Sequence, residues 1–219
     1  MGFLTHTTTI LSYLGFSKMA TINQRELFLE LSIAEPLLVR EATVVLRENY
    51  FEPAVAKMQE AFEKHKVTQE IEGGTEERNI SKTLRGGDAT ENLFSFIGFD
   101  QGDQPTQIIR ESLDENSPNG PKMKYIRGSQ IDNLSFQFVV TEPNLKAIYE
   151  DTPIPWAIGL SWAKRIEQGI PGFKNFLAKE GYGRSEGGIQ VKGKVSKTEF
   201  KPVKYLSKVI EVFRSKLPS

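Results

Sequence analysis

An apolar stripe with helical spacing between residues 35 and 66 restricts the fold more than any other feature of the chain. Its members recur at intervals of seven, four and three residues and therefore lie on one side of a helix: Leu37, Val44, Phe51, Val55, Met58 and Phe62. Pro53 has no backbone donor and crowds the carbonyl four residues earlier, so we expect a kink or a break over residues 49–52. Pro36 suits the first turn of a helix, which favours a separate, shorter helix over residues 26–33.

Loop signals and short apolar runs follow this helical region. Gly73 and Gly74 end the helices, and the polar run to residue 88 predicts a long loop or extended arm, either a surface loop or a segment that inserts into a neighbouring subunit. The aromatic run over residues 93–99 has the length and composition of a strand, with a turn after it. A helix is expected over residues 105–113, and the turn-forming residues 116–121 end it.

The second half of the chain combines strand and helix patterns. Apolar and polar residues alternate over residues 134–140 and again over 189–195, as in strands with one buried face. Short helices are expected over residues 142–150 and 160–168. A helical stripe closes the chain: Pro202, Leu206, Val209, Ile210, Phe213 and Leu217. This mixed order predicts an α+β fold, an antiparallel sheet packed against helices, with a long N-terminal helical segment and extended loops or arms.

The length favours one main domain, since 219 residues can bury one substantial core. We predict a flexible N-terminal arm over residues 1–20 and a single α+β domain over residues 21–219. The domain is expected to be helical over 24–72, an arm or loop over 73–90, and a sheet-and-helix body over 91–219. The N-terminal segment has no basic residue before Lys18 and fits neither a secretory signal nor a membrane span, and Met19 offers an alternative translation start.

The composition removes most routes to catalysis. The absence of cysteine excludes thiol nucleophiles and thiolate metal sites, and the only imidazoles, His6 and His65, are expected at the surface. Residues 188–194 match the opening of a phosphate-binding loop, but Val195 stands where Ser or Thr would contact magnesium. We therefore predict that the chain is not an enzyme and has no catalytic, cofactor-binding or metal-binding residues.

Charge is balanced overall but unevenly distributed. Lys and Arg together number 28, as do Asp and Glu, so no net field attracts nucleic acid or an anionic membrane. Residues 25–78 carry 12 acidic and seven basic side chains, whereas residues 184–216 carry nine basic and three acidic ones. These regions are either two solvated surfaces of unlike charge or opposite poles that meet in a head-to-tail assembly.

Acidic pairs, tryptophans and lysines are the remaining candidates for function. The pairs Asp100/Asp103 and Asp114/Glu115 lie in turn-like sequence, and we interpret them as solvated carboxylates. Trp156 and Trp162 anchor either the core or a subunit interface. A C-terminal lysine stripe is a solvated face, a contact for an acidic partner or a DNA contact: Lys192, Lys194, Lys197, Lys201, Lys204 and Lys208.

The layout from residue 149 to 217 resembles that of the small morphogenesis proteins of tailed bacteriophages at the neck or tail-completion position. In that family a segment containing Pro and Trp, or Tyr, runs into a helix, a Gly- and Arg-rich loop follows, and a Pro-initiated helix after a strand closes the chain. The corresponding stretches here are Pro155-Trp156-Ala157, residues 183–188 and residues 200–206. The runs over residues 93–99 and 134–140 are similar to the family's sheet strands.

The resemblance implies a non-enzymatic virion protein that forms a ring at the neck or the top of the tail, as a tail-completion, tail-terminator or head-tail joining protein. It implies contacts with further copies of itself, head to tail in a hexamer or dodecamer, and with other neck or tail proteins, with DNA passing through the lumen and no membrane. Such a protein is made in the cytoplasm of the bacterial host and ends in the virion.

The interface candidates combine the tryptophans with basic residues of the loops and the ribbon: Trp156, Trp162, Arg184, Ser185, Lys192, Lys194, Lys201, Arg78 and Arg85. One alternative is a nucleic-acid-binding accessory protein that uses the C-terminal lysine-rich ribbon and helix. Another is an enzyme with a carboxylate-only site, for which the sequence nominates no residue.

Overall fold

The computed structural model describes residues 24–85, 92–127, 136–155, 157–169 and 199–218. The chain divides into two compact units, residues 1–42 and 43–219. The described residues form helices and three two-stranded antiparallel pairs, so the α+β prediction is confirmed. The predicted arm over residues 1–20 and the predicted ribbon over 189–195 lie outside the described residues.

The first helix, α1, spans Gln24–Leu46 and contains Pro36 in its interior. The prediction of a separate helix over residues 26–33, with Pro36 in the first turn of the next, is therefore wrong. A proline inside a helix removes one backbone hydrogen bond, at a cost of about 3 kcal/mol. Leu, Glu, Ala and Arg on both sides of Pro36 are strong helix formers and continue the helix through it.

The expected irregularity at Pro53 is confirmed as a wider helical turn. A π-helical turn, Arg47–Phe51, follows α1 and leads into α2, Glu52–Glu63. The Glu52 N–H donates to the Arg47 carbonyl, five residues back, and Pro53 lies in the first turn of α2. Because Pro53 has no N–H to donate, the hydrogen-bond ladder widens by one residue here and then resumes.

The helical region contains a second break, which the sequence did not predict. Helix α3 spans Lys66–Glu72, and the His65 side chain caps its N-terminus by accepting the Val67 N–H at Nδ1, 3.2 Å away. Gly73 follows as the C-cap, as the sequence predicted.

The core of the second unit lies between α2 and the last helix, α8, Leu206–Lys216. Phe51 meets Phe213 edge to face with ring centroids 6.4 Å apart, and Phe62 stacks on Tyr205 at 6.1 Å. Trp162 contacts Tyr205 at 6.3 Å. These large buried rings tie distant parts of the sequence into one hydrophobic core.

The aromatic run at 93–99 forms a helix, so the strand prediction there is wrong. Helix α4 spans Leu93–Ile97; the Asn92 Oδ1 accepts the Ser95 N–H at 2.9 Å, and Gly98, with φ 86°, ends the helix. The aromatic composition favours a strand, but a capping Asn and a left-handed Gly six residues apart provide both helix ends.

The predicted helix at 105–113 is confirmed in shorter form as α5, Gln107–Ser112. The turn after it requires Gly120, since a Cβ there would stand 1.8 Å from the Asp114 carbonyl oxygen.

The described strands pair as three antiparallel ladders. They are β1, Leu84–Arg85, with β6, Glu199–Phe200; β2, Lys122–Arg127, with β3, Phe136–Thr141; and β4, Pro153–Ile154, with β5, Ala157–Ser161. The strand expected over residues 134–140 is confirmed from residue 136 onward, but its partner β2 was not predicted.

Helix α6, Leu145–Glu150, is confirmed and is capped by Asn144, whose Oδ1 accepts the Ala147 N–H. The helix expected over residues 160–168 begins later, as α7, Trp162–Gln168. The cause is β5, which occupies residues 157–161. The Ser161 Oγ then caps α7 by accepting the Lys164 N–H at 3.1 Å.

As far as residue 85, the predicted long loop is hydrogen-bonded to α3 and to the residue before α4. The Glu70 carboxylate is fully buried and accepts the Ser81 N–H at 2.7 Å and the Leu93 N–H at 2.8 Å. The buried Asn92 amide donates to the carbonyls of Gly74 and Glu77, at 2.9 and 2.7 Å. These bonds fix the described part of the loop against α3 and α4, and residues 86–90 lie outside the described residues.

Candidate interaction surfaces

In the first unit, α1 exposes large apolar side chains. Ile33 is 69% exposed and Leu37 is 66% exposed. Residues spaced by three, seven and eleven positions lie on the same side of a helix, so these two share a face with the exposed carboxylates Glu30 and Glu41. We call these four residues the α1 face. Helices usually cover such side chains by packing, which makes the α1 face a candidate binding surface.

In the second unit, a cleft of about 490 Å³ opens between α6, the β4–β5 hairpin and the start of α7. Tyr149, Pro153 and Leu160 supply apolar atoms, and Lys146 and Lys164 supply positive charge. We call these five residues the lysine cleft. A concave, mainly apolar surface with a few charged groups is the usual form of a binding site.

The electrostatics of the lysine cleft are net positive, with two lysines against the single carboxylate of Glu150. The Lys164 ammonium lies 5.9 Å from the centre of the Tyr149 ring, in cation–π range, and the Lys146 Nζ is 3.8 Å from a Glu150 oxygen. Burial, followed by the nearby Glu167 carboxylate, raises the pKa of Tyr149 to about 12. The phenol therefore stays protonated near neutral pH and donates to Glu167 at 3.4 Å.

Hydrogen bonds join the residue before β4 to the end of β5 and the start of α7, beside the cleft. The hydroxyls of Thr152 and Ser161 are hydrogen-bonded at 2.8 Å across β4 and β5, and the Trp162 N–H donates to the Thr152 carbonyl at 2.8 Å. Thr152 and Trp162 are both buried. The cleft is thus presented by a fixed backbone, which lowers the entropy cost of binding there.

A second charged cluster centres on Arg110. Its guanidinium donates to both carboxylate oxygens of Glu63, at 2.7 and 3.0 Å, contacts Glu72, and lies 5.9 Å from the centre of the Phe62 ring. The two carboxylates raise the pKa of Arg110, with Glu63 the larger cause. Because its charge is satisfied within the chain, this cluster fastens α5 to α2 and α3.

Carboxylates in the described part of the chain do not gather into a metal site. No group of three or more His, Cys, Asp or Glu side chains there could hold a metal ion. Asp103 accepts the Asp100 N–H at 2.9 Å within a turn, and Asp114 accepts the Asn116 N–H at 2.7 Å. The interpretation as solvated carboxylates is wrong for Glu115, whose side chain is 24% exposed and forms an ion pair with Arg47, 68 positions earlier in the chain.

His65 is half-buried, so the expectation of a surface position is wrong. Its Nδ1 accepts the Val67 N–H, and its Nε2 therefore carries the proton and donates to the Lys204 carbonyl at 3.1 Å. Burial lowers the pKa of His65, and the positive charge of Lys208 lowers it further. The imidazole is a neutral link between α3 and the segment before α8, and His6 lies outside the described residues.

Of the predicted interface residues that the structure describes, Arg85 and Lys201 are brought together by the β1–β6 ladder, beside which the Lys201 N–H donates to the Thr83 carbonyl at 2.7 Å. Trp162 is 2% exposed and packs edge to face on Phe99, with ring centroids 5.7 Å apart, which agrees with a core position and leaves it no surface for a partner. Arg78 and Lys201 are exposed, and Arg85 lies in β1 opposite Glu199.

The remaining interface candidates lie outside the described residues: Trp156, Arg184, Ser185, Lys192 and Lys194.

The sequence pattern alone reveals neither the α1 face nor the lysine cleft. It places Leu37 in a stripe assigned to packing and Ile33 in a separate helix, because periodicity reveals a shared face but not whether that face is covered. The lysine cleft draws on three elements, and its lysines are 18 positions apart in the sequence, so no local pattern connects them.

Within the described residues, no helix has both the length and the apolar character required to span a bilayer. Comparison with protein-family models, with curated proteins and with solved structures gives no match for this chain.

Proposed function

We propose that this chain acts by assembly, as a structural protein that forms a ring with copies of itself at the neck or tail top of a tailed bacteriophage. The observation that carries the proposal is the α1 face. Burying an exposed Leu or Ile side chain gains about 1.5–3 kcal/mol, so Ile33 and Leu37 together favour a bound state in which a partner covers them.

The chemistry of the second unit supports the same role. The lysine cleft has apolar atoms and positive charge, whereas the α1 face has apolar atoms and negative charge. A ring requires two unlike surfaces on each copy, one of which meets the other on the next copy. Two surfaces of this kind on one chain favour head-to-tail association over a symmetric dimer.

The phage context comes from the resemblance in layout. The described part of that resemblance includes β6 followed by α8, but α8 begins at Leu206, so Pro202 lies before the helix and does not initiate it. The run at 93–99 departs from it, since α4 stands where the resemblance implies a strand. The assembly role therefore depends on the surfaces, and the position on the particle depends on the layout.

Solution mass and negative-stain images of the purified full chain test the proposal. We expect a hexamer or dodecamer with ring-shaped particles, and we expect the double substitution Ile33→Ser with Leu37→Ser to reduce it to smaller species. The matched control is Ile108→Ser with Ile126→Ser, which removes two other exposed apolar side chains. A chain that remains monomeric at every concentration and joins neither phage heads nor tails would contradict the proposal.

Exposed lysines favour one alternative, a nucleic-acid-binding accessory protein. Lys201, Lys204 and Lys208 are exposed at the start of α8, although Lys204 is 3.3 Å from Glu211. Fluorescence anisotropy with a DNA duplex at a series of salt concentrations tests this alternative. The logarithmic slope of affinity against salt should become shallower by about 0.9 for each phosphate that a variant no longer neutralises.

The variant for this test is Lys201→Glu with Lys208→Glu, and its matched control is Lys57→Glu with Lys124→Glu, at exposed lysines outside α8 and the segment before it. Absence of DNA binding at low salt would exclude the alternative.

A further inference from the structure

We propose that the lysine cleft of one copy receives the α1 face of a second copy, an inference that rests on the proposed ring and names the contact that builds it. The described residues form clefts, charged clusters and exposed apolar patches. Among these surfaces, the α1 face and the lysine cleft complement each other in both shape and charge.

The shapes are compatible because one surface projects and the other is concave. Ile33 and Leu37, one turn apart, project from a single helix face and are both about two-thirds exposed. The cleft of about 490 Å³ lies in the usual range for pockets, roughly 300–1,000 Å³. Its apolar side chains, Tyr149, Pro153 and Leu160, are suitable neighbours for two aliphatic side chains.

The charges of the two surfaces are opposite in sign, negative on the α1 face and net positive in the lysine cleft. On the α1 face, Glu30 and Glu41 stand on either side of the apolar pair and are separated by three helical turns, about 16 Å along the axis. In the cleft, Lys146 and Lys164 are exposed, and Lys146 forms an exposed ion pair with Glu150 at 3.8 Å, which a partner's carboxylate can replace. Two carboxylates with an apolar centre therefore meet two ammonium groups with an apolar floor, which selects this orientation over others.

Other exposed basic regions are less suitable acceptors. Among its described residues, the β2–β3 ladder exposes one lysine, Lys124, and one large apolar side chain, Ile126. The lysines before α8 are exposed, but the large apolar side chains of α8 itself, Leu206, Val209 and Phe213, are buried in the core. The lysine cleft combines concavity, apolar atoms and positive charge.

Charge reversal in two full-length variants tests the contact by sedimentation velocity. The first variant carries Glu30→Lys with Glu41→Lys, so that its α1 face and its cleft are both positive. The second carries Lys146→Glu with Lys164→Glu, so that both surfaces are negative. All four positions are exposed, and the substitutions therefore leave the core intact.

We expect each variant alone to lose self-association and sediment as a monomer, and we expect an equimolar mixture to recover the mass of the wild-type oligomer. Recovery on mixing is the decisive result, because each reversed surface then meets its complement. The control matched to the second variant, Lys124→Glu with Lys216→Glu, makes the same change in net charge and should associate like the wild type.

The contradicting outcomes separate the contact from the function. If wild type and both variants form rings alike, the docking contact is wrong and the proposed function stands. If mixing fails to restore association of two folded variants, the contact is also wrong. If the wild-type chain stays monomeric throughout, the inference fails, and the test for joining phage heads or tails decides the proposed function separately.

Discussion

The same apolar stripe has opposite fates in two regions of this molecule. Leu37 and Val44 are 66% and 42% exposed, whereas Phe51 and Phe62, further along the same stripe, are 1% and 0% exposed. Both regions have apolar residues at helical spacing, but the exposed members are seven residues apart, whereas the buried members recur every three or four residues. The difference is that α8 and the aromatic side chains of the core cover the stripe after residue 50, whereas Leu37 is largely open to solvent.

This contrast shows that an amphipathic pattern specifies which side of a helix is apolar but does not specify what packs against that side. In the second unit the partner comes from the same chain, since Phe213 and Tyr205 meet Phe51 and Phe62. On α1 we propose that the partner comes from another copy. The stripe thus has a folding role in one region and a proposed assembly role in the other, and the two can be separated by measurement.

The largest expected effect is on the buried half of the stripe. Phe62→Ala should lower the free energy of unfolding by about 3–5 kcal/mol, because it removes a buried ring and leaves a cavity beside Tyr205. Denaturant unfolding followed by circular dichroism measures the change. Phe62→Leu, which fills more of the space, should lose less. A loss below about 1 kcal/mol for Phe62→Ala would remove the contrast between the two halves.

The second-largest loss of stability is expected at Asn92, a buried polar side chain of the second unit. Asn92→Ala removes the cap of α4 and leaves buried carbonyls of the loop without their donor, so we expect a loss of roughly 1–3 kcal/mol in the free energy of unfolding. The control is Asn144→Ala, which removes only an exposed cap from α6 and should cost less. Equal losses in the free energy of unfolding for the two variants would show that the burial of Asn92 does not increase its contribution to stability.

A smaller effect should appear as a pH dependence from His65. Its folded pKa is lowered, so the unfolded chain, whose histidine titrates near about 6.5, binds the proton more readily. Stability from this group is fully present above about 6.5 and is lost as the pH falls from there toward the folded pKa. Denaturant unfolding at a series of pH values measures this loss.

His65→Asn is the matched control, since Asn also caps helices but does not titrate. Its stability should vary less with pH in this window than that of the wild type. An unchanged pH dependence in this variant would assign the effect to other groups.

The smallest expected effect on folding is in the exposed half of the stripe. Leu37→Ser should change the free energy of unfolding of a dilute, monomeric sample by no more than about 0.5 kcal/mol, because the side chain is largely solvated. Association measured on the same sample at higher concentration should fall. A large loss of stability in the monomer would mean that Leu37 serves the fold, and the contrast with Phe62 would disappear.

Much of the fold was predictable where one local rule dominates. Pro53 determined the place of the irregular turn, and Gly73 determined the end of α3, whereas α5 ends at Ser112, before the turn-forming residues 116–121 begin. The prediction failed where two rules compete. At 93–99 the aromatic composition favours a strand, but the cap at Asn92 and the left-handed Gly98 decide for a helix.

The sequence by itself determined the α+β class, the place of the irregular turn before Pro53 and the existence of an apolar stripe, because these depend on the properties of neighbouring residues. Only the tertiary structure decided which part of the stripe is covered, that Trp162 is core, and that Lys146 and Lys164 share a cleft with Tyr149. Burial and concavity depend on residues far apart in the chain, and no periodicity in one segment records what packs against it.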